Sequence, residues 1–341
     1  MSRKKVTMQQ IADAASVSRT TVSFVLNGRT EHLISAETRQ RVLHSARVLG
    51  YTRETPAVGN AIAFLVRRSL DHIAQAAFLV EVLRGLSMSV EQTSYRVGLY
   101  ETPDEDIVDY EDWLAERAYA GLILFNVLTA EREALARLAS AGPRPVVTIH
   151  PTGVSQVTSV GIDNVLAAHD AVQHLIALGH RRIAAITYAP PSHVISQHRL
   201  MGYRQALEQA GLRYDKRLIA NGHFTSESGY EAMLALLRRV AEPPTAVFVM
   251  SDVVAVGAIQ AVRDMGYDVP KDMSFVGFDD IPLSQYLTPS LTTVRQPGVE
   301  IGRYAGETLL KLIDSGQRVP STLLPADIIA RGSTCKPDSQ V

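Results

Sequence analysis

The sequence predicts a small all-α head followed by a larger α/β body of two lobes, each built on a parallel sheet. Positive charge is concentrated at the N-terminus: residues 1–53 carry nine Lys and Arg against three Asp and Glu, and the rest of the chain carries 25 against 32. From Ala61 onwards, short apolar runs alternate with amphipathic stretches over a length too great for one core. Because phosphate neutralisation needs local positive charge, the head is the expected nucleic-acid-binding part.

Three short helices account for the head. Thr7 is a good N-cap for the first, whose apolar residues recur at helical spacing in MQQIADAA. Ser18 can cap the second, in which TTVSFVL places its apolar residues on one face before Asn-Gly ends the helix. The third begins near Ser35. This arrangement leaves Arg19, Thr20 and Ser23 pointing outward on the second helix.

Seven apolar runs in the body are candidate strands: AIAFLV, YRVGLY, AGLILFNV, PVVTIH, RIAAITYA, TAVFVM and MSFVGF. Each except the last is followed by a helical pattern, such as NVLAAHDAVQHLIALG, which is typical of parallel sheets. Ligands bind such folds at the carboxyl ends of strands, so a cleft between the two α/β halves is the expected site. The segment TRETPAVGN breaks the composition and indicates a linker between head and body.

Composition and motifs exclude several classes of protein. No run reaches about 18 apolar residues and the N-terminus lacks a signal-peptide core, so we expect a cytoplasmic protein without a membrane partner. The one cysteine, Cys335, cannot form an internal disulfide. His193 and His198 are five residues apart with no carboxylate or thiol beside them, and no metal is expected. Phosphate-loop, dinucleotide-binding and nucleophile-elbow motifs are missing, so neither catalysis nor a cofactor is expected.

The second helix opens on the row Ser18, Arg19, Thr20 and Thr21. At the N-terminal end of a recognition helix, such side chains reach base edges while hydroxyl groups and the helix end touch phosphate. A generic helix N-terminus has a similar composition. Taken alone, these residues leave both interpretations open.

The same residues resemble the lactose repressor/galactose repressor (LacI/GalR) family. VTMQQIADAASVSRTTVSFVLNG and ISAETRQRVLHSARVLGY are similar to its DNA-binding head, and SDVVAVGAIQAVRDMGYDVPKDMSFVGFDD, PSLTTVRQP and RGST are similar to its body. The resemblance extends over roughly residues 5–334. It implies a dimeric transcriptional repressor whose heads read a palindromic operator in double-stranded DNA, while a small sugar-like or nucleoside-like effector in the cleft alters the affinity.

For the head, the resemblance assigns roles to individual side chains. Arg19 and Thr20 would meet base edges in the major groove, where Arg19 can donate two hydrogen bonds to guanine. Phosphate contact or helix capping is implied for Thr7, Ser18, Thr21, Ser23 and Asn27. Phe24 stands where the family usually has Arg, and it either contacts a thymine methyl group or packs inward.

For the body, the resemblance points to a set of effector-binding residues. Arg199 and Asp279 match family positions that hold ligand hydroxyls, since a guanidinium fork and a carboxylate suit a vicinal diol. The residues expected around them are Phe78, Phe125, Asn126, His150, Phe224, Ser251, Asp252 and Gln296. Phe78 and Phe224 offer apolar faces to a sugar or a base, with core packing as the alternative.

The sequence also departs from the family pattern in the cleft and in the linker. Phe125 and His150 replace residues that are often polar or acidic in relatives, which argues against assigning to this protein the sugar that any one relative binds. Family members carry a hinge helix with an A-R-x-L pattern, whose leucine enters the minor groove. Here the corresponding segment is about six residues shorter and has no Arg-x-Leu. We predict that this leucine wedge is absent, and Val58 is a weak substitute.

These observations predict a helix-turn-helix head and a periplasmic-binding-protein-like body. The predicted parts are a head over 1–50, a linker over 51–61, an N-terminal lobe over 62–160 and 291–322, a C-terminal lobe over 161–290 and 323–334, and a polar tail over 335–341. Two alternatives stay open. One is a regulator controlled by a protein corepressor, and the other is a solute-binding module with a vestigial head.

Overall fold

Two compact units make up the chain. The computed structural model describes residues 6–26, 34–49, 59–67, 77–102, 107–115, 119–142 and 144–337. One unit contains the residues up to Gly59 together with the segment that starts at Asp112, and the other contains the rest. The helical head lies in the first unit, and the α/β body lies in the second apart from the short segment that starts at Asp112.

The described part of the head consists of α1 (Met8–Ala15), α2 (Arg19–Leu26) and α3 (Ala36–Val48). One small apolar core joins them and contains Ile11, Ala12, Ala15, Val22, Val25, Val42 and Ala46. α1 begins at a capping box, in which the Thr7 hydroxyl accepts from the Gln10 N–H and the Gln10 side chain accepts from the Thr7 N–H at 2.8 Å. α1 ends at Ser16, whose left-handed backbone (φ 53°) turns the chain towards α2. The predicted helix-turn-helix arrangement is confirmed.

The first lobe of the body is built on a six-stranded parallel sheet. Its elements in chain order are β1 (Ala61–Arg67), α4 (Ala77–Val90), β2 (Arg96–Thr102), α5 (Tyr110–Ala115), β3 (Tyr119–Phe125), α6 (Arg132–Ala141), β4 (Val146–Ile149) and β5 (Thr158–Gly161). Near the C-terminus the chain returns to add α11 (Gly298–Ser315) and β11 (Thr322–Leu323). The strand order is β11-β5-β4-β3-β1-β2, and all neighbouring strands are parallel.

The second lobe repeats this plan. Its elements are α7 (Asn164–Ala177), β6 (Ile183–Thr187), α8 (Val194–Gln209), β7 (Ile219–Asn221), α9 (Ser226–Arg239), β8 (Ala246–Val249), α10 (Asp252–Asp264), β9 (Ser274–Asp279), β10 (Thr292–Arg295) and β12 (Asp327–Ile329). The strand order is β12-β10-β9-β8-β6-β7. Among the described strands of this sheet, only β12, at one edge, is antiparallel to its neighbour, β10. The central strands are fully buried, as their continuous apolar runs require.

The seven predicted strands coincide with β1, β2, β3, β4, β6, β8 and β9. Five further strands of two to four residues each were not predicted, because such short segments show no periodicity. One of them, β5, follows β4 directly, so the predicted alternation of strand and helix fails there. Another, β10, hydrogen-bonds to β9 and places residues 292–295 in the second lobe. The predicted boundary between the C-terminal lobe and the returning segment of the N-terminal lobe, at residue 291, was therefore wrong by one strand. The chain crosses back to the first lobe only after Arg295.

Two glycines let α4 and α11 approach closely. A Cβ on Gly302 would lie 2.0 Å from the carbonyl oxygen of Val82, and one on Gly85 would lie 2.0 Å from that of Val299. Any larger residue at either position separates the two helices. In the described part of the chain, no helix has both the length and the apolar character that crossing a membrane requires.

Candidate functional site

The N-terminal turn of α2 presents polar side chains. Arg19 and Thr20 are exposed. The Ser18 hydroxyl accepts from the Thr21 N–H at 3.0 Å and lies 2.8 Å from the Thr21 hydroxyl, so these two residues cap the helix. The first N–H groups of a helix carry partial positive charge, and with Arg19 beside them this end of α2 attracts anions.

The other head residues predicted to contact DNA have varied surroundings. Thr7 is exposed and caps α1, whereas Ser23 and Phe24 are half-buried in α2. Asn27 lies outside the described residues. The same is true of residues 51–58, so the predicted loss of the leucine wedge and the substitute role of Val58 stay predictions.

A cavity lies between the two lobes of the body. Its lining residues are Ala77, Phe78, Leu79, Phe125, Asn126, His150, Tyr188, Ile195, Arg199, Phe224, Ser251, Val253, Asp279 and Ile281. Most of the polar ones stand at the carboxyl ends of strands: Asn126 after β3, His150 after β4, Tyr188 after β6, Ser251 after β8 and Asp279 in β9. Both sheets reverse their strand order beside these ends, between β1 and β3 and between β6 and β8. This is the place where open α/β sheets bind ligands.

Arg199 is the buried cation of the cavity. Its Nε donates to Asn164 Oδ1 at 2.9 Å, and its Nη1 donates to the Met250 carbonyl at 2.5 Å. The guanidinium also lies 3.6 Å from the centroid of the Phe278 ring. Nη1 is 3.8 Å from Asp279 Oδ1, beyond hydrogen-bonding distance. The arginine is thus oriented by the protein, while its carboxylate partner stays separate enough for a ligand group to bind both.

Asp279 is the matching acceptor. Ser251 Oγ donates to its Oδ2 at 3.0 Å, and Gln296 Nε2 donates to its Oδ1 at 2.7 Å. Burial raises the pKa of Asp279 to about 6, although Arg199 and these two hydrogen bonds oppose the rise. Near neutral pH the side chain is an anion held by donors, and a small change in pH alters its charge.

His150 supplies a neutral donor. Its Nδ1 accepts from the Ile162 N–H at 3.2 Å, which places the proton on Nε2. Burial lowers the pKa of His150 to about 3, and the charges of Arg199 and His198 lower it further in the same direction. The ring stacks on Phe78 with centroids 6.0 Å apart and planes 14° apart. Phe78 in turn contacts Phe125, so one wall of the cavity is aromatic.

Tyr188 joins the two lobes across the cavity. Its hydroxyl donates to Asn126 Oδ1 at 3.2 Å, and its ring meets the Phe224 ring edge-on at 5.6 Å. Burial raises the pKa of Tyr188 well above its usual range, so the hydroxyl stays protonated. Sequence reasoning missed Tyr188 because RIAAITYA was taken as one strand. The strand ends at Thr187, and the rule that ligand sites lie at strand ends is the signal that identifies the next residue.

A second connection between the lobes lies beside the cavity. Residues 127–129, which follow β3, pair with residues 192–194, where α8 begins, in a short antiparallel bridge. The Thr129 N–H donates to the Ser192 carbonyl at 2.9 Å, and the N–H of residue 194 donates to the carbonyl of residue 127 at 3.1 Å. We call these two segments the interlobe strap. Buried Glu131, the partner of Arg67, accepts from the Leu128 N–H at 2.9 Å and fixes the first segment.

Left-handed backbone conformations cluster at the cavity. Among the described residues other than glycine, six have positive φ, and four of these line the cavity. They are Asn126 (63°), His150 (68°), Phe224 (62°) and Asp279 (118°). Side chains other than Asn and Asp rarely adopt this region, and strained residues of this kind concentrate at ligand sites.

Eight of the ten residues predicted to bind the effector line this cavity: Phe78, Phe125, Asn126, His150, Arg199, Phe224, Ser251 and Asp279. Asp252 and Gln296 do not. Asp252 accepts from the Ser284 and Thr293 hydroxyls, both at 2.6 Å, and its burial together with the charge of Asp279 raises its pKa to about 7. Asp252 is also fully buried and does not reach the cavity wall, whereas Asp279 does. Gln296 does not contact the cavity and influences it only through Asp279, to which its Nε2 donates a hydrogen bond.

The described residues offer no candidate metal site around His193 and His198, because no group of three or more His, Cys, Asp or Glu side chains among them could hold a metal ion. His193 stands at the start of α8 and meets Phe224 edge-on at 5.4 Å. Burial lowers its pKa to about 4, so the ring is neutral at physiological pH.

The two parts of the chain match known families. The family model described as bacterial regulatory proteins, lacI family, matches residues 7–54, and that of the periplasmic binding protein-like domain matches residues 172–334. A helix-turn-helix head on a two-lobed body with an interlobe cavity defines the class of ligand-modulated DNA-binding regulators.

Relatives identify the family within this class. The HTH-type transcriptional repressor CytR of Escherichia coli (strain K12) is 35% identical over 342 residues, covering 96% of each chain. The HTH-type transcriptional regulator CelR of Thermobifida fusca is 32% identical and covers 94% of this chain and 96% of its own. A solved CelR–cellobiose complex superposes with a TM-score of 0.74 at 31% identity, over 96% of this chain and 100% of the other. The lac repressor dimer bound to operator and the anti-inducer ONPF superposes with a TM-score of 0.70 at 25% identity, over 97% and 100%. The chain belongs to the LacI family of bacterial regulatory proteins.

Proposed function

We propose that this regulator is a dimeric repressor that binds a palindromic operator, with its affinity set by a small hydroxyl-bearing ligand in the interlobe cavity. The observation that carries the proposal is the buried pair Arg199 and Asp279, held 3.8 Å apart at the carboxyl ends of the second sheet. A guanidinium fork and a carboxylate at this separation suit the donor and acceptor of neighbouring hydroxyl groups.

The walls of the cavity define the ligand class more narrowly. Phe78 and Phe224 stand on opposite lobes and offer apolar faces, and the neutral ring of His150 offers an N–H donor. A sugar presents hydroxyls and an apolar ring face to such walls, and a nucleoside adds a planar base. CelR has been solved with cellobiose, which makes disaccharides part of the same set of candidates.

The second lobe also carries a surface suited to a second copy of the chain. Tyr286 and Leu283 lie three residues apart and are 74% and 49% exposed. They stand beside a groove between α9 and α10 that Val256 and Leu287 help to line. An interface here gives a twofold dimer that presents two heads to the two halves of a palindrome.

Operator binding is tested by selecting sites from a random DNA library with the full-length protein at a fixed near-physiological salt concentration. We expect a palindrome whose half-sites lie about one helical turn apart. Arg19→Gln should relax the preference at one guanine of each half-site, by about 1–3 kcal/mol. Arg39→Gln removes an equal charge from an exposed position of α3. It should weaken binding to all DNA sequences alike or leave binding unchanged. If the intact chain enriches no site, the operator proposal is wrong.

Ligand binding is tested by thermal stabilisation with monosaccharides, cellobiose and ribonucleosides. A true ligand at about 100 times its Kd stabilises the folded chain by about 2.7 kcal/mol. Asp279→Asn should abolish that stabilisation, whereas Asp314→Asn, at an exposed position of α11, should preserve it. Equal responses of the two variants would contradict the assignment of the cavity. Failure of every candidate would favour control by a protein corepressor.

A further inference from the structure

A second pocket opens on the second lobe, away from the interlobe cavity. Four arginines line it, Arg181, Arg182, Arg213 and Arg217, together with Ile183, Leu207, Asp215 and Leu218. We call it the arginine pocket. Ile183 begins β6 and Tyr188 follows its other end. At about 3.3 Å per residue, the two sites are separated by about 16 Å along this strand.

The arginine pocket holds more positive charge than its one carboxylate can balance. Asp215 is occupied by Arg217, whose Nη2 donates to Oδ2 at 2.7 Å and whose Nε donates at 3.1 Å. This pairing holds the pKa of Asp215 well below its usual range. Arg181 and Arg213 make no side-chain hydrogen bond with any described residue, and Arg182 uses only Nε, on the Glu242 carbonyl at 3.0 Å. Three guanidinium groups therefore keep free donors.

Neighbouring contacts give the pocket a defined shape. Arg239 donates to the Arg217 carbonyl at 3.0 Å and to the Ile219 carbonyl at 2.6 Å, which fixes the segment that carries Arg217. The nearby carboxylate of Glu208 on α8 is already paired with Arg204 at 2.6 Å. No further described acidic side chain lines the pocket, so its excess charge is not neutralised from within the protein.

We propose that the arginine pocket binds a small tetrahedral oxyanion, either inorganic phosphate or the phosphate group of a metabolite. A planar guanidinium group recognises such an oxyanion with a pair of parallel hydrogen bonds. Three guanidinium groups around one pocket offer more donors than a ligand with one carboxylate could accept, so a phosphate group is the better match. The pocket is separate from the interlobe cavity, so this proposal does not rest on the proposed function.

The first test is calorimetric titration of the full-length protein with inorganic phosphate, at constant ionic strength maintained with chloride. We expect saturable binding at one site per chain. Arg181→Gln and Arg213→Gln should each weaken it about tenfold or more, because each removes a charged donor. Arg238→Gln is the matched control, since Arg238 is an equally exposed arginine of α9 that does not line the pocket, and it should bind phosphate as the wild-type protein does.

A parallel titration with glycerol 3-phosphate, and with glycerol as its uncharged counterpart, distinguishes the two sources of the oxyanion. Tighter binding of glycerol 3-phosphate than of phosphate indicates a phosphorylated metabolite, and the reverse order indicates free phosphate. Both results support the site. Binding that does not saturate, or that Arg238→Gln weakens as much as Arg213→Gln does, overturns the proposal because it reflects general charge attraction alone.

Discussion

Ligand affinity should depend on pH through Asp279. Its carboxylate is buried, and the pKa of about 6 compares with an ordinary value of 3.8. A ligand hydroxyl that donates to this carboxylate requires the ionised form. The fraction ionised is about nine-tenths at pH 7 and about one-tenth at pH 5. We therefore expect affinity to fall about tenfold between these values, whereas a carboxylate with the ordinary pKa would lose less than about a tenth of its ionised form.

Two other titratable groups near Asp279 affect this interpretation, whereas the rest leave it simple. His150 and His193 have lowered pKa values and stay neutral over the range, and Tyr188 stays protonated. The two groups are Asp252, whose pKa of about 7 is raised partly by Asp279, and Glu81, whose pKa is raised by burial and by the charges of Asp279 and Asp280. Protonation of either carboxylate as the pH falls relieves the repulsion on Asp279 and moves the midpoint for ligand binding downwards.

The assay is calorimetric titration of the wild-type protein with its identified ligand from pH 5 to pH 8. Asp279→Asn should bind weakly with a flat profile, and Asp252→Asn should keep the dependence with a shifted midpoint. A wild-type affinity that is constant from pH 7 to pH 5 would refute the reasoning.

The pH dependence of the unfolding free energy of the unliganded protein is an independent test of the raised pKa. Because the folded-state pKa of Asp279 is raised, the folded state binds more protons, and stability should fall as pH rises from about 4 to about 6.

Three further predictions concern packing and assembly. Tyr188→Phe removes the hydrogen bond to Asn126 and should lower the free energy of unfolding by about 1 kcal/mol, measured by urea denaturation with an unchanged m-value. Gly302→Ala places a Cβ 2.0 Å from the Val82 carbonyl and should cost about 1–3 kcal/mol, whereas a melting temperature equal to that of the wild type would show that α4 and α11 move apart freely. Tyr286→Glu should shift the chain from dimer to monomer in sedimentation velocity, and an unchanged dimer would place the interface elsewhere.

Sequence periodicity predicts the long elements of this fold well and the short ones poorly. β6 and β8 are continuous apolar runs, which is the pattern of strands covered on both faces. β10 and β12 have three or four residues and are defined by pairing with β9 and with each other, which is a property of tertiary structure. The misplaced lobe boundary follows from this, because TTVR has no local feature that assigns it to one sheet.

For the site, residue type and position relative to strand ends identified most of the cavity wall. Arg199 and Asp279 were found because they match a family pattern, and the structure adds the hydrogen bonds that orient them. Asp252 was misplaced because the sequence does not show that two hydroxyl groups, from residues 32 and 41 positions away, occupy its carboxylate. Tyr188 was missed because the end of a strand cannot be read to the residue from hydrophobicity alone.

The left-handed backbone at the cavity limits how this sensor can be retuned to new ligands. At Asn126, His150, Phe224 and Asp279, β-branched replacements add strain to the fold whatever contacts they offer a ligand. Libraries at these four positions will therefore be enriched in glycine, asparagine and aspartate, which vary little in size. Phe78 and Ile195 stand on helices with ordinary backbone, so no backbone strain restricts the side chain there. Directed evolution of a changed response should begin at those helical positions.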